Sequence, residues 1–183
     1  MALIETPICD FGKKADNFQL KSTENKIISL NDVKGENGTL IMFICNHCPY
    51  VLAVIKDIVK DCKELEKDGI KSVAIMSNDP NEYEEDSFEN MIQFAKDHEF
   101  NFPYVVDKTQ DIAKKYGAVC TPDFFGYNSD LGLQYRGRLD ESRKETIADA
   151  KRDLFEAMKE VAISGNGPDA QISSMGCSIK WFE

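Results

Sequence analysis

Two cysteines three positions apart, Cys45 and Cys48 in Cys45-Asn46-His47-Cys48-Pro49-Tyr50, are the residues of this chain best suited to chemistry. A pair at that spacing can cycle between dithiol and disulfide, or supply half of a four-sulfur metal site. Acidity matters here, because the thiolate rather than the thiol is the nucleophile. A free cysteine ionises near ~8.5, and the unpaired N–H groups of a helix N-terminus bring it to roughly 3.5–7.5. The pattern predicts a helix opening at these cysteines, with Cys45 as the attacking thiolate. Cys48, one turn on and on the same side, is placed to resolve a mixed disulfide formed at Cys45. The expected chemistry is therefore thiol–disulfide exchange.

The elements that must hold the pair are written on either side of it. Thr39 to Ile44 is an unbroken, mostly apolar or β-branched run that suits a strand buried on both faces. Beyond the cysteines, Val51, Leu52, Val54, Ile55, Ile58, Val59, Cys62 and Leu65 recur at helical spacing, and Gly69 is the stop of one long helix. Pro49 is tolerated because the first helical turn has no N–H to lose. Lys71 to Ser77 is a second buried-type strand, so strand, helix and strand form a βαβ unit with parallel strands. The chain is α/β.

Residues 18–21 and 26–30 read as an antiparallel hairpin around Ser22-Thr23-Glu24-Asn25. After the second strand, Asp86 and Glu89 have capping-box spacing for a helix ending near His98. The acids Glu82, Glu84, Glu85 and Asp86 read as a solvated, helix-capping cluster. An extended segment over 102–107, a short helix over 109–116 closed by Gly117, and a last strand over 133–138 follow. Thr121-Pro122 stands at the entrance to an apolar strand, where a cis proline bond can be accommodated. A final helix is expected from about Arg143 to Ile163, with Ile147, Ala150, Leu154, Met158 and Val161 inward. The remainder ends Gly176-Cys177-Ser178-Ile179-Lys180-Trp181-Phe182, too apolar for a disordered tail, and is expected to pack back on the domain.

Composition narrows the partners. Lys plus Arg number 22 against 32 Asp plus Glu, a formal charge of -10, which argues against nucleic acid or an anionic membrane. No run approaches the ~18 apolar residues of a membrane span, and Met1 to Pro7 lacks the basic start and apolar stretch of a leader. A cytoplasmic protein is expected. Six cysteines in 183 residues are too sparse for a disulfide scaffold, and a reducing compartment keeps them as thiols. Cys9 reads as a half-buried packing residue.

Phe43-Ile44-Cys45-Asn46-His47-Cys48 after a buried strand, followed about 75 residues later by Thr121-Pro122 entering another, resembles the thioredoxin superfamily. The hairpin, and the segment between the second strand and the short helix, resemble its peroxiredoxin-like (AhpC/TSA) and TlpA/ResA branch. The chain looks most similar to a group with Cys-Asn-His-Cys-Pro-Tyr-Val, Cys-Thr-Pro-Asp-Phe-Phe and a terminal Gly-Cys-x-Ile-Lys-Trp. The resemblance implies a thioredoxin fold, a central mixed sheet flanked by helices with an N-terminal hairpin extension, over 1–165, and a packed tail over 166–183. It implies Cys45 as exposed nucleophile, Cys48 as resolving thiol, and Pro122 in cis facing the pair with Thr121 beside it. Cys120 is then close to the dithiol, as an inert neighbour or an accessory thiol; Cys177 is either a packing residue of the tail or a third redox partner. His47 stands where oxidising members of the superfamily carry histidine, which predicts a potential less negative than the ~-270 mV of thioredoxin. No cofactor is implied, and the partners are protein or small-molecule thiols and disulfides.

Three other functions compete. A thiol peroxidase needs Pro-x-x-x-Thr/Ser-x-x-Cys, but the positions three and seven before Cys48 are Cys45 and Ile41, and before Cys45 they are Met42 and Gly38. Arg136 or Arg138 could supply a peroxide-activating guanidinium, although an arginine in a strand is more often a surface residue. A zinc site at Cys45, His47 and Cys48 lacks a second Cys-x-x-Cys, and His98 is the only other histidine, so no metal is expected. A binding module that merely keeps the fold is the third.

Overall fold

The apolar run before the cysteines becomes strand β4 (Gly38–Phe43), all six residues of which are buried. Its side chains alternate between two cores, Leu40 and Met42 on one face and Ile41 and Phe43 on the other. This explains why no polar alternation is visible in its sequence. The computed structural model describes residues 2–182; Met1 and Glu183, at the ends of the two expected ranges, lie outside them.

Around β4, preceded by β1 (Leu3–Glu5), β2 (Gln19–Ser22) and β3 (Ile27–Ser29), the chain adds β5 (Ile70–Met76), β6 (Tyr104–Val106), β7 (Cys120–Thr121), β8 (Asp123–Asn128), β9 (Leu133–Tyr135) and β10 (Met175–Ser178). Seven of these form a mixed sheet in the order β3-β2-β6-β5-β4-β8-β9. β4, β5 and β6 run parallel, and β8 lies antiparallel on the other side of β4, Phe43 opposite Asp123. The expected hairpin is present as β2 and β3, which extend the sheet at one edge.

The helices are α1 (Pro49–Leu52), α2 (Ile55–Leu65), α3 (Phe88–Asp97), α4 (Asp111–Tyr116) and α5 (Asp153–Ser164). Residues of α2, α3 and α5 pack on one face of the sheet with Leu40, Met42, Ala74 and Met76. α4 covers the other face with Ile112, Ala113 and Tyr116. Each buried Leu, Ile or Phe contributes roughly 1.5–3 kcal/mol.

Three expectations about helices are corrected. The single helix after the cysteines is two, because Val54 leaves helical geometry (φ -119°, ψ 2°), and the Ala53 carbonyl is taken by the hydroxyl of Thr146. The final helix begins at Asp153, not near Arg143: Asp149 has φ 58°, a left-handed conformation that no helix continues through, and Ile147 is exposed. Helix α3 is capped by Ser87, whose hydroxyl accepts from the Asn90 N–H, rather than by Asp86.

The last residues return to the domain. β10 is the middle strand of a small antiparallel sheet, β1-β10-β7, which pairs Leu3 with Cys177 and Cys177 with Thr121. Gln110, buried and left-handed at φ 63°, donates to the carbonyls of Ser77 (2.8 Å) and Lys180 (2.7 Å) and accepts from the Phe182 N–H (2.8 Å). One side chain thereby ties the chain's end to the C-terminal end of β5.

Candidate active site

Cys45 and Cys48 lie in the loop that leaves β4, with Cys48 as the N-cap of α1. Thr121, the last residue of β7, faces both. Its hydroxyl oxygen is 3.3 Å from Cys45 Sγ, and its carbonyl oxygen is 3.2 Å from Cys48 Sγ. The Thr121-Pro122 bond is cis, as expected. Cys177 on β10 pairs in register with Thr121 and belongs to the same buried cluster as Cys45 and Cys48. Cys120 is buried with its Sγ 3.6 Å from the Pro122 carbonyl, and burial pushes its thiol far above the ordinary range.

The expected setting of the nucleophile is corrected in two respects. Cys45 is only 1% exposed and Cys48 0%, so neither sulfur stands open to solvent. The one-turn segment Glu84–Asp86 lies against Cys45 through Asp86, and β10 closes over Cys48. Cys45 also precedes α1 by several residues, and α1 is a single turn, so a helix terminus does not set its acidity.

Neighbouring groups set it instead. Burial, the hydrogen bond to Cys48 and the carboxylate of Asp86 hold the Cys45 thiol well above its usual range. Cys48 is brought down to about 5, first by the hydrogen bond from Cys45 and then, against burial, by those from Cys177 and Thr121. In the singly ionised pair, the proton rests on Cys45 and the charge on Cys48. This reverses the order expected from the sequence. When Cys48 is protonated instead, its S–H has the Thr121 carbonyl to donate to.

Asp86 is the residue that sequence reasoning missed. It is fully buried, not part of a solvated cluster, and accepts from the Asn46 N–H, His47 Nδ1 and Asn78 Nδ2, each at 2.8 Å. Asn46 also donates to the Glu85 carbonyl (2.8 Å) and accepts from the Tyr104 hydroxyl (2.9 Å). The hydrogen bond to Asp86 raises the His47 pKa, and the imidazole stacks on Tyr83 with 4.1 Å between ring centres. The expected oxidising potential relies on a partly charged imidazole at this position. The hydrogen bond to Asp86 favours that charge, while the Asp86 carboxylate opposes ionisation of Cys45. Only the acidic run itself hinted at Asp86, and such runs are usually solvated.

Cys45, His47 and Asp86 place donor atoms within 4.8 Å of one another, a set that could hold a metal ion. The Asp86 carboxylate is already satisfied by three protein donors, the arrangement of a hydrogen-bonded network. Neither candidate peroxide-activating arginine is a free surface residue. Arg136 is buried, 3.0 Å from Asp123 and 2.7 Å from the Gly117 carbonyl, while Arg138 pairs with Asp153 at 2.8 Å. Cys9 is buried, as is Cys62.

Compared with known proteins, residues 11–142 match the AhpC/TSA family. The chain belongs to that family. A curated relative of this AhpC/TSA protein, the thiol-disulfide oxidoreductase ResA of Bacillus thuringiensis subsp. konkukian, is 30% identical over 146 residues, 74% of this chain and 78% of its own. Two solved structures span nearly all of it. An uncharacterized conserved protein from Geobacillus kaustophilus is 40% identical with a TM-score of 0.94, over 100% of this chain and 97% of that one. A hypothetical protein from Sinorhizobium meliloti 1021 is 33% identical with a TM-score of 0.91, over 97% of each. The thioredoxin domain of a thiol-disulfide oxidoreductase from Bacteroides vulgatus, at 15% identity and a TM-score of 0.59 over 73% of this chain and 89% of that one, shares the fold. The architecture is the expected thioredoxin fold. No helix among the described residues is long and apolar enough to cross a membrane.

Proposed function

We propose that this AhpC/TSA protein is a thiol–disulfide oxidoreductase whose exchange takes place at Cys45 and Cys48. One observation carries the reading: Thr121 faces both sulfurs of the Cys-x-x-Cys, its hydroxyl oxygen 3.3 Å from Cys45 Sγ and its carbonyl oxygen 3.2 Å from Cys48 Sγ, in surroundings that favour the charge at Cys48 over Cys45. Cys48 then acts as the base adjacent to the nucleophile. As Cys45 Sγ attacks a client disulfide, its proton passes to Cys48, the client S–S bond breaks and a Cys45–client disulfide forms. The departing client sulfur takes up a proton. Cys48, giving up its own proton, then attacks Cys45 Sγ, closing the Cys45–Cys48 disulfide and releasing the second client thiol. Two electrons pass to the client, with one proton from the cysteine pair and one from solvent, and the reverse sequence oxidises a dithiol.

His47, held by Asp86, and Thr121 position the pair, and Pro122 shapes the turn that presents Thr121. The curated relative is itself named a thiol-disulfide oxidoreductase, which supports the reading. We assign the partners as protein or small-molecule thiols and disulfides, the place as the cytoplasm, where unpaired thiols persist, and the subgroup as that of Cys-Asn-His-Cys-Pro-Tyr-Val. Cys48→Ser tests the reading. A client disulfide added to this variant is expected to stall as a mixed disulfide at Cys45, formed more slowly than in the wild type because the Cys48 base is missing, and found by mass spectrometry. Free Cys45 in that variant, with no loss of client disulfide to the wild type, would refute it.

A further inference from the structure

The exchange reading uses two thiols, yet the fold brings a third to them. β10 is held from both sides, by β1 and by β7, and Cys177 lies directly opposite Thr121, the residue that touches both Cys45 and Cys48. Its approach depends on Gly176, where a Cβ would lie 2.1 Å from the Thr121 carbonyl oxygen. α1, which Cys48 caps, packs against β10. Cys45, Cys48 and Cys177 belong to one buried cluster. Of the three sulfur-bearing residues Cys177 is the least enclosed, at 5% exposure against 1% and 0%. β10 lies beyond residues 11–142, the part matched to the family.

From this juxtaposition of Cys45, Cys48 and Cys177 we infer that Cys177 is a third redox thiol, which takes the disulfide over at Cys48 and sets Cys45 free. The inference rests on the exchange reading. In the step, Cys177 Sγ attacks Cys48 Sγ of the Cys45–Cys48 disulfide. The Cys45–Cys48 bond breaks, the Cys48–Cys177 bond forms, and Cys45 leaves as a thiolate. The proton given up by Cys177 ends on Cys45, so the step is an isomerisation with no net change in electrons.

The surroundings favour that direction of proton movement. In the reduced protein Cys177 is pushed up to about 12, by burial first and then by its hydrogen bond to Cys48 and the Cys48 charge. Those last two influences vanish once Cys48 is in a disulfide, leaving burial opposed by Lys180 and Lys144. Cys177 thus stays silent while the pair is reduced and gains acidity when the pair is oxidised. Cys45, enclosed near Asp86, is a strong acceptor for the proton.

Disulfide mapping decides the matter. Wild-type protein and Cys45→Ser are oxidised with glutathione disulfide, quenched in acid, alkylated and digested, and the cross-linked peptides are quantified by mass spectrometry. The expected result is a Cys48–Cys177 cross-link within tenfold of Cys45–Cys48 in the wild type, with alkylated Cys45 in the same fraction, and Cys48–Cys177 in Cys45→Ser. A Cys45–Cys48 cross-link in the wild type with Cys48–Cys177 below a tenth of it overturns the relay and leaves the exchange reading standing. Absence of both cross-links from the wild type overturns both. The wild-type arm decides the outcome even if Cys45→Ser does not fold.

Discussion

Replacing Gly176 with alanine tests how closely the tail strand must approach the turn before β8. The added Cβ would lie 2.1 Å from the Thr121 carbonyl oxygen, 2.7 Å from its carbonyl carbon and 3.2 Å from Pro122 N, all backbone atoms that no rotamer change can move. Ordinary contact begins at 3.4 Å, so β10 or the turn must retreat by about 1.3 Å. Such a retreat carries the β10–β7 hydrogen bonds past the ~3.2 Å limit of a good N–H···O bond. Forced overpacking costs about 1–3 kcal/mol, and one or two lost ladder bonds add about 0.5–1.5 kcal/mol each. The total is roughly 2–5 kcal/mol. For a chain of this size each kcal/mol moves Tm by about 2–4 °C, so Tm should fall by roughly 4–20 °C. Thermal unfolding followed by circular dichroism under reducing conditions measures it. A Tm within about 1 °C of wild type would refute the claim that this contact requires glycine.

Other predictions follow from the buried charges. Asp86→Asn should lower the His47 pKa, read from the imidazole C–H resonance against pH, because the hydrogen bond to Asp86 is what raises it. Since the folded value is raised, the wild type enjoys that contribution below the unfolded imidazole value of ~6.5 and loses it as pH climbs through the folded one; the variant should lack this dependence. Asp61 is raised from 3.8 to about 6, by burial first and against the pull of Arg152. Across that window the folded chain holds a proton that the unfolded chain has released, so this group makes stability fall as pH rises. Asp61→Asn should therefore gain on the wild type from pH 4 to pH 7 in urea midpoint, and an unchanged difference would contradict the assignment. Asp123→Ala strands the buried Arg136 guanidinium and should cost about 3–5 kcal/mol, measured by denaturant unfolding.

What the sequence made legible is the part in which local pattern and final environment agree. The continuous apolar run of β4 announced a strand covered on both faces, and the motif around Thr121-Pro122 was correctly placed by resemblance to a known family. The apolar ending Ile179-Lys180-Trp181-Phe182 pointed to a packed tail, but the seat of Met175–Ser178 just before it, in the middle of a second sheet, depends on pairing with residues near the other end of the chain. Asp86 was unreadable for the same reason. An acid between Glu85 and Ser87 is indistinguishable from its solvated neighbours until Asn46, His47 and Asn78 converge on it from elsewhere. The break after α1 carries neither glycine nor proline, and the hydroxyl that accommodates it comes from Thr146. The acidity of the two sulfurs is likewise a property of their surroundings, which is how the expected order came out reversed.

The placement of β10 bears on how the protein is made. Cys177 is translated about 130 residues after Cys45, so the strand that shields the dithiol leaves the ribosome well after the dithiol itself. At about 5–20 residues per second of synthesis, the nascent chain carries its reactive sulfurs uncovered for several seconds. During that interval, any disulfide or oxidant it meets reaches them without the cover that β10 supplies in the folded protein.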